Sequence, residues 1–140
     1  MNNLNRFVEA QAGVYEQALK EVRQGRKKGH WMWFVFPQLR GLGYSAMAHT
    51  YGIEDATEAA AYLKHPVLGA RLVQIFEALV QGKSRDAHLI FGSPDDKKLR
   101  SCATLFAQLP HSHPVFKKVV DDFFGGHLDG RTLQLLQQNS

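Results

Sequence analysis

The chain has 140 residues, 44% hydrophobic and 21% charged, with 17 Lys and Arg against 13 Asp and Glu, for a net charge of +4. That length and composition suit one well-buried core and exclude an intrinsically disordered chain. No run approaches the roughly 20 apolar residues of a membrane span, and the lone cysteine, Cys102, has no partner for an internal disulfide.

Met1 to Arg6 lacks the apolar stretch of a signal peptide, so a reducing, cytoplasmic setting is expected. A first helix is predicted from about Asn5 to Gln24. Phe7, Val8, Val14, Tyr15, Ala18, Leu19 and Val22 make one apolar stripe at spacings of three and four, interrupted by Gln11. Asn3 or Asn5 is the expected N-cap, and Gly25 suits the position past the last turn.

The basic run Arg26-Lys27-Lys28 then leads into His30-Trp31-Met32-Trp33-Phe34-Val35-Phe36-Pro37-Gln38-Leu39, the expected seed of the core. Trp31, Trp33 and Val35 fit an alternating strand, whereas Trp31, Phe34 and Val35 fit one face of a helix. Pro37 ends either element. Arg40-Gly41-Leu42-Gly43-Tyr44-Ser45 follows. It lacks the third glycine of a dinucleotide fingerprint and the Gly-Lys-Ser/Thr of a Walker A loop. Ser45 is expected to cap a short helix from Ala46 to about Tyr51. Its N-terminus beside Arg40 is either an anion site or a plain connecting turn.

Asp55 and Glu58 have capping-box spacing at the head of an alanine-rich helix to Lys64. Pro66 marks the first position of the next helix, with Leu68, Leu72, Ile75, Phe76 and Leu79 inward. Gly82 ends it, and Ser84 is the expected cap of a short helix through Phe91. Gly92-Ser93-Pro94-Asp95-Asp96 reads as a helix start, with Ser93 as N-cap and Pro94 at the first helical position. That helix should run to about Gln108, with Leu99, Cys102, Ala103 and Phe106 inward. Pro110 stops it. Val115, Val119, Val120, Phe123 and Phe124 pack the next helix as far as Gly125-Gly126. Asp129 caps a last one bearing Leu133, Leu135 and Leu136, with a tail from Gln137 to Ser140 that should fray. No linker divides the chain, so residues 1–140 are expected to form a single all-α domain of about six to eight helices.

The polar residues allow fewer chemistries than their number suggests. Seven histidines lack metal-ligand spacing, and His65 and His113 stand before prolines at helix starts, so neither a metal nor a cofactor is expected. Cys102 reads as a small buried hydrophobe. Asp95 with Asp96, and Asp121 with Asp122, are neighbours pointing roughly 100° apart on their helices, so neither pair converges on one atom.

Lys97, Ser101 and Thr104 share a helix side, with Lys98 on a second track. Beside Arg40 and His30 such a row would suit a phosphate or a sugar hydroxyl. Otherwise its lysines point to water. Trp31 or Trp33 can offer a stacking face, with His30 as donor or proton shuttle and Gln38 as a full amide at the far end of the block. The candidate ligand-binding residues are therefore His30, Trp33, Gln38, Arg40 and Ser101, and His30 is the candidate for catalysis. No reaction follows from these residues.

Over nearly its full length the chain also resembles a known family. The matching pieces are Arg6-Phe7-Val8-Glu9-Ala10-Gln11, the block from His30 to Leu39, Ser45-Ala46-Met47-Ala48, His65-Pro66-Val67-Leu68-Gly69, Ile90-Phe91-Gly92-Ser93-Pro94-Asp95-Asp96, Thr104-Leu105-Phe106 and Phe123-Phe124-Gly125-Gly126. In these it resembles the uncharacterised bacterial family known as domain of unknown function 1810. The resemblance implies a small, multihelical cytoplasmic protein and supplies no activity. The label calpastatin, attached to some members, implies nothing here, because a calpastatin is disordered and this composition is that of a packed core.

Two functions are open on this reading. One is a protein that binds or acts on a phosphate-bearing small molecule, nucleotide-like or sugar-phosphate-like, in a pocket beside the His-Trp-x-Trp block. The other is a non-catalytic interaction module whose basic patch (Arg23, Arg26, Lys27, Lys28, Arg40) meets an acidic partner. Neither nucleic acid nor membrane is an expected partner, and a monomer is the expected state.

Overall fold

Apolar spacings of three and four govern the chain from end to end, and helices result throughout. The computed structural model describes residues 3–138, and these carry ten helices. They are α1 (Asn5–Gln11), α2 (Tyr15–Gln24), α3 (Met32–Val35), α4 (Ala46–Thr50), α5 (Ala56–Lys64), α6 (Leu68–Gln81), α7 (Ala87–Phe91), α8 (Asp95–Ala107), α9 (Val115–Phe124) and α10 (Gly130–Gln138). The single all-helical domain is as expected, but ten exceeds the anticipated six to eight.

The surplus has two sources. The predicted helix from Asn5 to Gln24 breaks at Gly13, whose φ of +74° is a left-handed conformation that glycine adopts without penalty. The break lets Gln11 turn inward. It is 1% exposed, and its Nε2 donates to the Phe34 carbonyl at 2.8 Å and to the Tyr62 hydroxyl at 3.0 Å. The second source is the aromatic block, which takes the helical alternative as the single turn α3.

An unbroken series of rings forms the core: Trp31, Phe36, Phe76, Phe116, Phe106, Tyr62 and Phe7. Successive centroids are 6.0, 5.4, 4.8, 5.6, 5.6 and 5.1 Å apart, within the range where aromatic pairs attract. All seven side chains are buried. α6 lies at the centre against α2, α5 and α9, and α8 packs on α9, α7, α10 and α5. Cys102 of α8 is wholly buried, and burial pushes its thiol well above the usual range.

Helix ends follow local chemistry in most places. Ser45 Oγ accepts the Ala48 N–H, Asp55 Oδ1 accepts the Glu58 N–H, and Asp129 Oδ2 accepts the Thr132 N–H. Gly25 and Gly125 end α2 and α9 in left-handed conformations. His65 and His113 serve as caps through Nδ1, each accepting the N–H two residues on.

At five helix ends the structure differs from expectation. Leu4 rather than Asn3 or Asn5 occupies the N-cap of α1, without a side-chain bond. Asp86 rather than Ser84 caps α7. The sixth helix begins at Leu68, two residues past Pro66, because His65 Nδ1 closes the turn between them. Ser93 makes no cap: Pro94 is the N-cap of α8, and the Gly92 carbonyl takes the Asp96 N–H at 2.8 Å. The anticipated fraying fails for Gln137 and Gln138, which are helical, and for Asn139 and Ser140 it lies outside the described residues.

After Pro37 the chain extends, and Leu39 forms an isolated parallel bridge with Ile53. Ile53 N–H donates to the Gln38 carbonyl at 2.9 Å and Arg40 N–H to the Ile53 carbonyl at 2.8 Å. This bridge fixes the positions of Gln38 and of the loop that follows.

Candidate functional site

The aromatic block is held from behind by a carboxylate. Glu21 Oε1 accepts the N–H groups of Lys28 at 2.7 Å and Gly29 at 2.9 Å, and the Trp31 indole N–H at 2.9 Å. Burial alone would raise the Glu21 carboxyl. The donors from Gly29, Gln17, Lys28 and Trp31 outweigh it and hold the carboxyl at about 2. With Trp31 pinned inward, the next turn of α3 presents Trp33, half-buried, toward α8.

There Lys98 Nζ sits 3.6 Å from the centroid of the Trp33 ring, an ammonium over an aromatic face. Helical spacing brings Asp95 beneath it, with Oδ1 at 3.1 Å, and the other Asp95 oxygen takes Lys27 Nζ at 3.0 Å. Lys27 Nζ also donates to the Gly29 carbonyl at 2.6 Å and lies 5.2 Å from the Trp31 ring.

Two hollows flank the Trp33–Lys98 pair. The larger, about 300 Å³, has Trp33, Gln38, Leu42 and Gly43 on one side. The other side is Pro94, Lys97, Lys98 and Ser101 from α8, closed by Asp129 and Arg131 at the head of α10. The smaller, about 170 Å³, is lined by Lys27, His30, Met32, Trp33, Asp95 and Lys98.

Gln38 is the unusual member of the larger hollow. It is 9% exposed, and its carbonyl is used by Ile53, yet among the described residues its side-chain amide has no hydrogen-bond partner. Gly43 lies across from it. A Cβ built there would stand 3.9 Å from both Gln38 Nε2 and Trp33 Cη2, so the amide and the edge of the indole share one wall. Asp129, by contrast, is largely committed. Its Oδ2 accepts Ser101 Oγ at 3.3 Å, the Thr132 N–H at 3.0 Å and the Thr132 hydroxyl, and its own N–H donates to Thr104 Oγ1 at 2.9 Å. Arg100 clamps the preceding turn through the carbonyls of His127 at 2.7 Å and Leu128 at 2.9 Å. Lys27, Lys97, Lys98 and Arg131 face Asp95 and Asp129 around the two hollows, a surplus of two positive charges.

Of the residues singled out from the sequence, Trp33, Gln38 and Ser101 come together in the larger hollow. His30 is exposed at the smaller one, on the far side of the Trp33–Lys98 pair. Arg40 joins neither. Its Nε donates to the His49 carbonyl at 3.1 Å, so it secures the last turn of α4 and leaves that helix's N-terminus without it. Thr104 is buried beneath the site as the acceptor for Asp129. Asp129 and Arg131 were missed as lining residues, because only tertiary docking of α10 on α8 brings them in. A larger hollow, about 540 Å³, lies between the ends of α2 and α6. Its buried lining residues, Val22, Leu79 and Ile90, are all apolar, so it offers a ligand no buried polar group. Among the described residues no three His, Cys, Asp or Glu side chains cluster as a metal would need, and no helix is long and apolar enough to cross a membrane.

Fold and site together define a small, all-helical protein with an open, cation-rich polar hollow beside a tryptophan. The chain belongs to the family described as protein of unknown function (DUF1810), whose model matches residues 1–136. A comparison with curated proteins finds no match. Among solved structures the chain is similar to the conserved hypothetical protein Rv1873 from Mycobacterium tuberculosis. The two share 50% identity over 96% of each chain, with a TM-score of 0.93.

Proposed function

We propose that the protein binds a phosphate-bearing small molecule, nucleotide-like or sugar-phosphate-like, in the hollow between Trp33 and α8. The observation that carries this reading is Gln38, a residue nine-tenths buried whose side-chain amide has no partner among the described residues and opens to solvent at the hollow that Lys97, Lys98 and Arg131 also line. An amide carries one acceptor oxygen and two N–H donors, and on a residue this buried, with no protein partner, all of them are available to a ligand in the hollow. The surplus of positive charge suits a phosphate dianion.

The same geometry favours a small molecule over an acidic protein partner. Two of the five cations in the anticipated basic patch are engaged internally, Lys27 on Asp95 and Arg40 on the His49 carbonyl. His30, at the adjoining hollow, is the group placed to exchange a proton with a ligand that reaches past Trp33.

A thermal-shift panel of nucleotides and sugar phosphates tests the reading. A ligand at a hundred times its dissociation constant should stabilise by about 2.7 kcal/mol. Gln38→Ala should remove the shift without lowering the melting temperature of the free protein. A flat response to every phosphate compound would sink the proposal.

A further inference from the structure

We infer that the ligand of this hollow is a phosphorylated sugar or polyol without a stacked aromatic base, its hydroxyls read by Gln38 and Asp129 and its phosphate by Lys97 and Arg131, an inference that rests on the phosphate-ligand reading above. The first ground is that the stacking face is taken. Lys98 Nζ stands 3.6 Å over the Trp33 ring and is tethered by Asp95 at 3.1 Å, which Lys27 holds in turn at 3.0 Å. A base stacking on that face would have to evict an ammonium fixed by both a ring and a carboxylate. The rest of the indole packs against the core, and its Cη2 edge lies toward Gly43.

The second ground is the pairing of an amide with a carboxylate. Asp129 Oδ2 takes three hydrogen bonds, while among the described residues none is made by Oδ1. A phosphate is repelled by a carboxylate, so the Asp129 end of the hollow suits groups that donate. A sugar hydroxyl donates to Asp129 Oδ1 and both donates to and accepts from the Gln38 amide, which carries one acceptor oxygen and two N–H donors. Lys97 and Arg131 supply the opposite character. Neither side chain has a hydrogen-bond or ion-pair partner among the described residues, and both border the hollow. Size agrees with this. At about 300 Å³ the hollow stands at the bottom of the usual ligand-pocket range of roughly 300–1,000 Å³, room for a compact ligand.

Titration calorimetry on the full chain at low salt, with ribose 5-phosphate, glucose 6-phosphate, adenosine monophosphate and inorganic phosphate, decides the matter. The expected ranking has at least one sugar phosphate binding about tenfold tighter than inorganic phosphate, and adenosine monophosphate no tighter than ribose 5-phosphate. Gln38→Ala should bring the sugar phosphates to the level of inorganic phosphate while leaving inorganic phosphate unchanged. If that variant does not fold, the wild-type ranking alone decides. Adenosine monophosphate binding tenfold tighter than ribose 5-phosphate would overturn the inference and leave the phosphate site standing. So would sugar phosphates binding no better than inorganic phosphate. Absence of binding by all four removes both the site and the inference.

Discussion

Glu21 Oε1 accepts the indole N–H of Trp31 at 2.9 Å, a bond that ties α2 to the aromatic block ten residues on. The same oxygen takes the N–H groups of Lys28 and Gly29, so one carboxylate shapes the turn through which the basic run enters the core. The consequences for the rest of the molecule can be measured.

Acid should unfold the protein through this group. The Glu21 carboxyl is held at about 2 against an ordinary 4.5, so the folded state binds fewer protons than the unfolded state between those values. Its stabilisation is complete above about pH 4.5 and is lost as the pH falls toward 2, on the order of 3 kcal/mol in all. Glu58 contributes in the same direction. Burial opposes the shift, but the Arg6 guanidinium, with Nη2 at 3.0 Å, and the Glu54 N–H hold the carboxyl down. Urea titrations at a series of acid pH values should show this loss, and Glu21→Gln should be less stable at neutral pH with a flatter acid limb. An acid limb of unchanged slope in Glu21→Gln would place the titrating group elsewhere.

Two buried glutamines should answer substitution in opposite ways. Gln11 is saturated by the Phe34 carbonyl, the Tyr62 hydroxyl and Arg71, so Gln11→Ala strands buried groups and should cost about 1–3 kcal/mol. Gln38 has no side-chain partner in the protein, so Gln38→Ala should change stability by less than about 0.5 kcal/mol. Equal losses in the two variants would mean that Gln38 holds the fold and is not kept for a ligand.

Capping gives a second matched pair. Asp55→Ala should cost about 0.5–2 kcal/mol, because Asp55 Oδ1 accepts the Glu58 N–H at 2.9 Å. Ser93→Ala should be neutral, since Ser93 is exposed and α8 starts without a side-chain cap. Denaturant midpoints for the two variants should separate clearly.

Gly69 should be the least replaceable glycine. A Cβ there would fall well inside contact distance of the Leu63 carbonyl carbon and oxygen, which are backbone and cannot swing aside. Gly69→Ala should therefore cost about 1–3 kcal/mol or more through forced displacement of α5 against α6. Gly130→Ala, where a Cβ meets nothing within 4 Å, serves as the control.

What the residues disclosed in advance divides along a physical line. Ser45, Asp55, Asp129, Gly25 and Gly125 act on neighbours within a few positions, and their roles could be read directly. Glu21 stands in no sequence pattern, because three of its four donors, Lys28, Gly29 and Trp31, come from chain beyond the end of α2, where helical periodicity no longer applies. Gln11 looked like a flaw in an apolar stripe for a similar reason: its partners sit on α3, α5 and α6. Arg40 reads from the sequence as a cation flanking the aromatic block, beside the N-terminus of the helix that Ser45 caps. The Leu39–Ile53 bridge sends the chain onward, and Arg40 serves His49 instead. Trp33, Gln38 and Ser101 line one hollow because the block and the polar row of α8 meet face to face. Their neighbours Asp129 and Arg131 belong to a helix whose docking no local pattern announces.

The single thiol gives this protein a built-in clock. Cys102 is sealed among Leu99, Phe106 and the ring series, and burial keeps it in the unreactive protonated form. A thiol reagent can therefore reach it only when α8 leaves the core. Labelling rates in the native state then count large openings of the wild-type chain, with no residue changed. Any compound that settles between Trp33 and α8 should slow that clock.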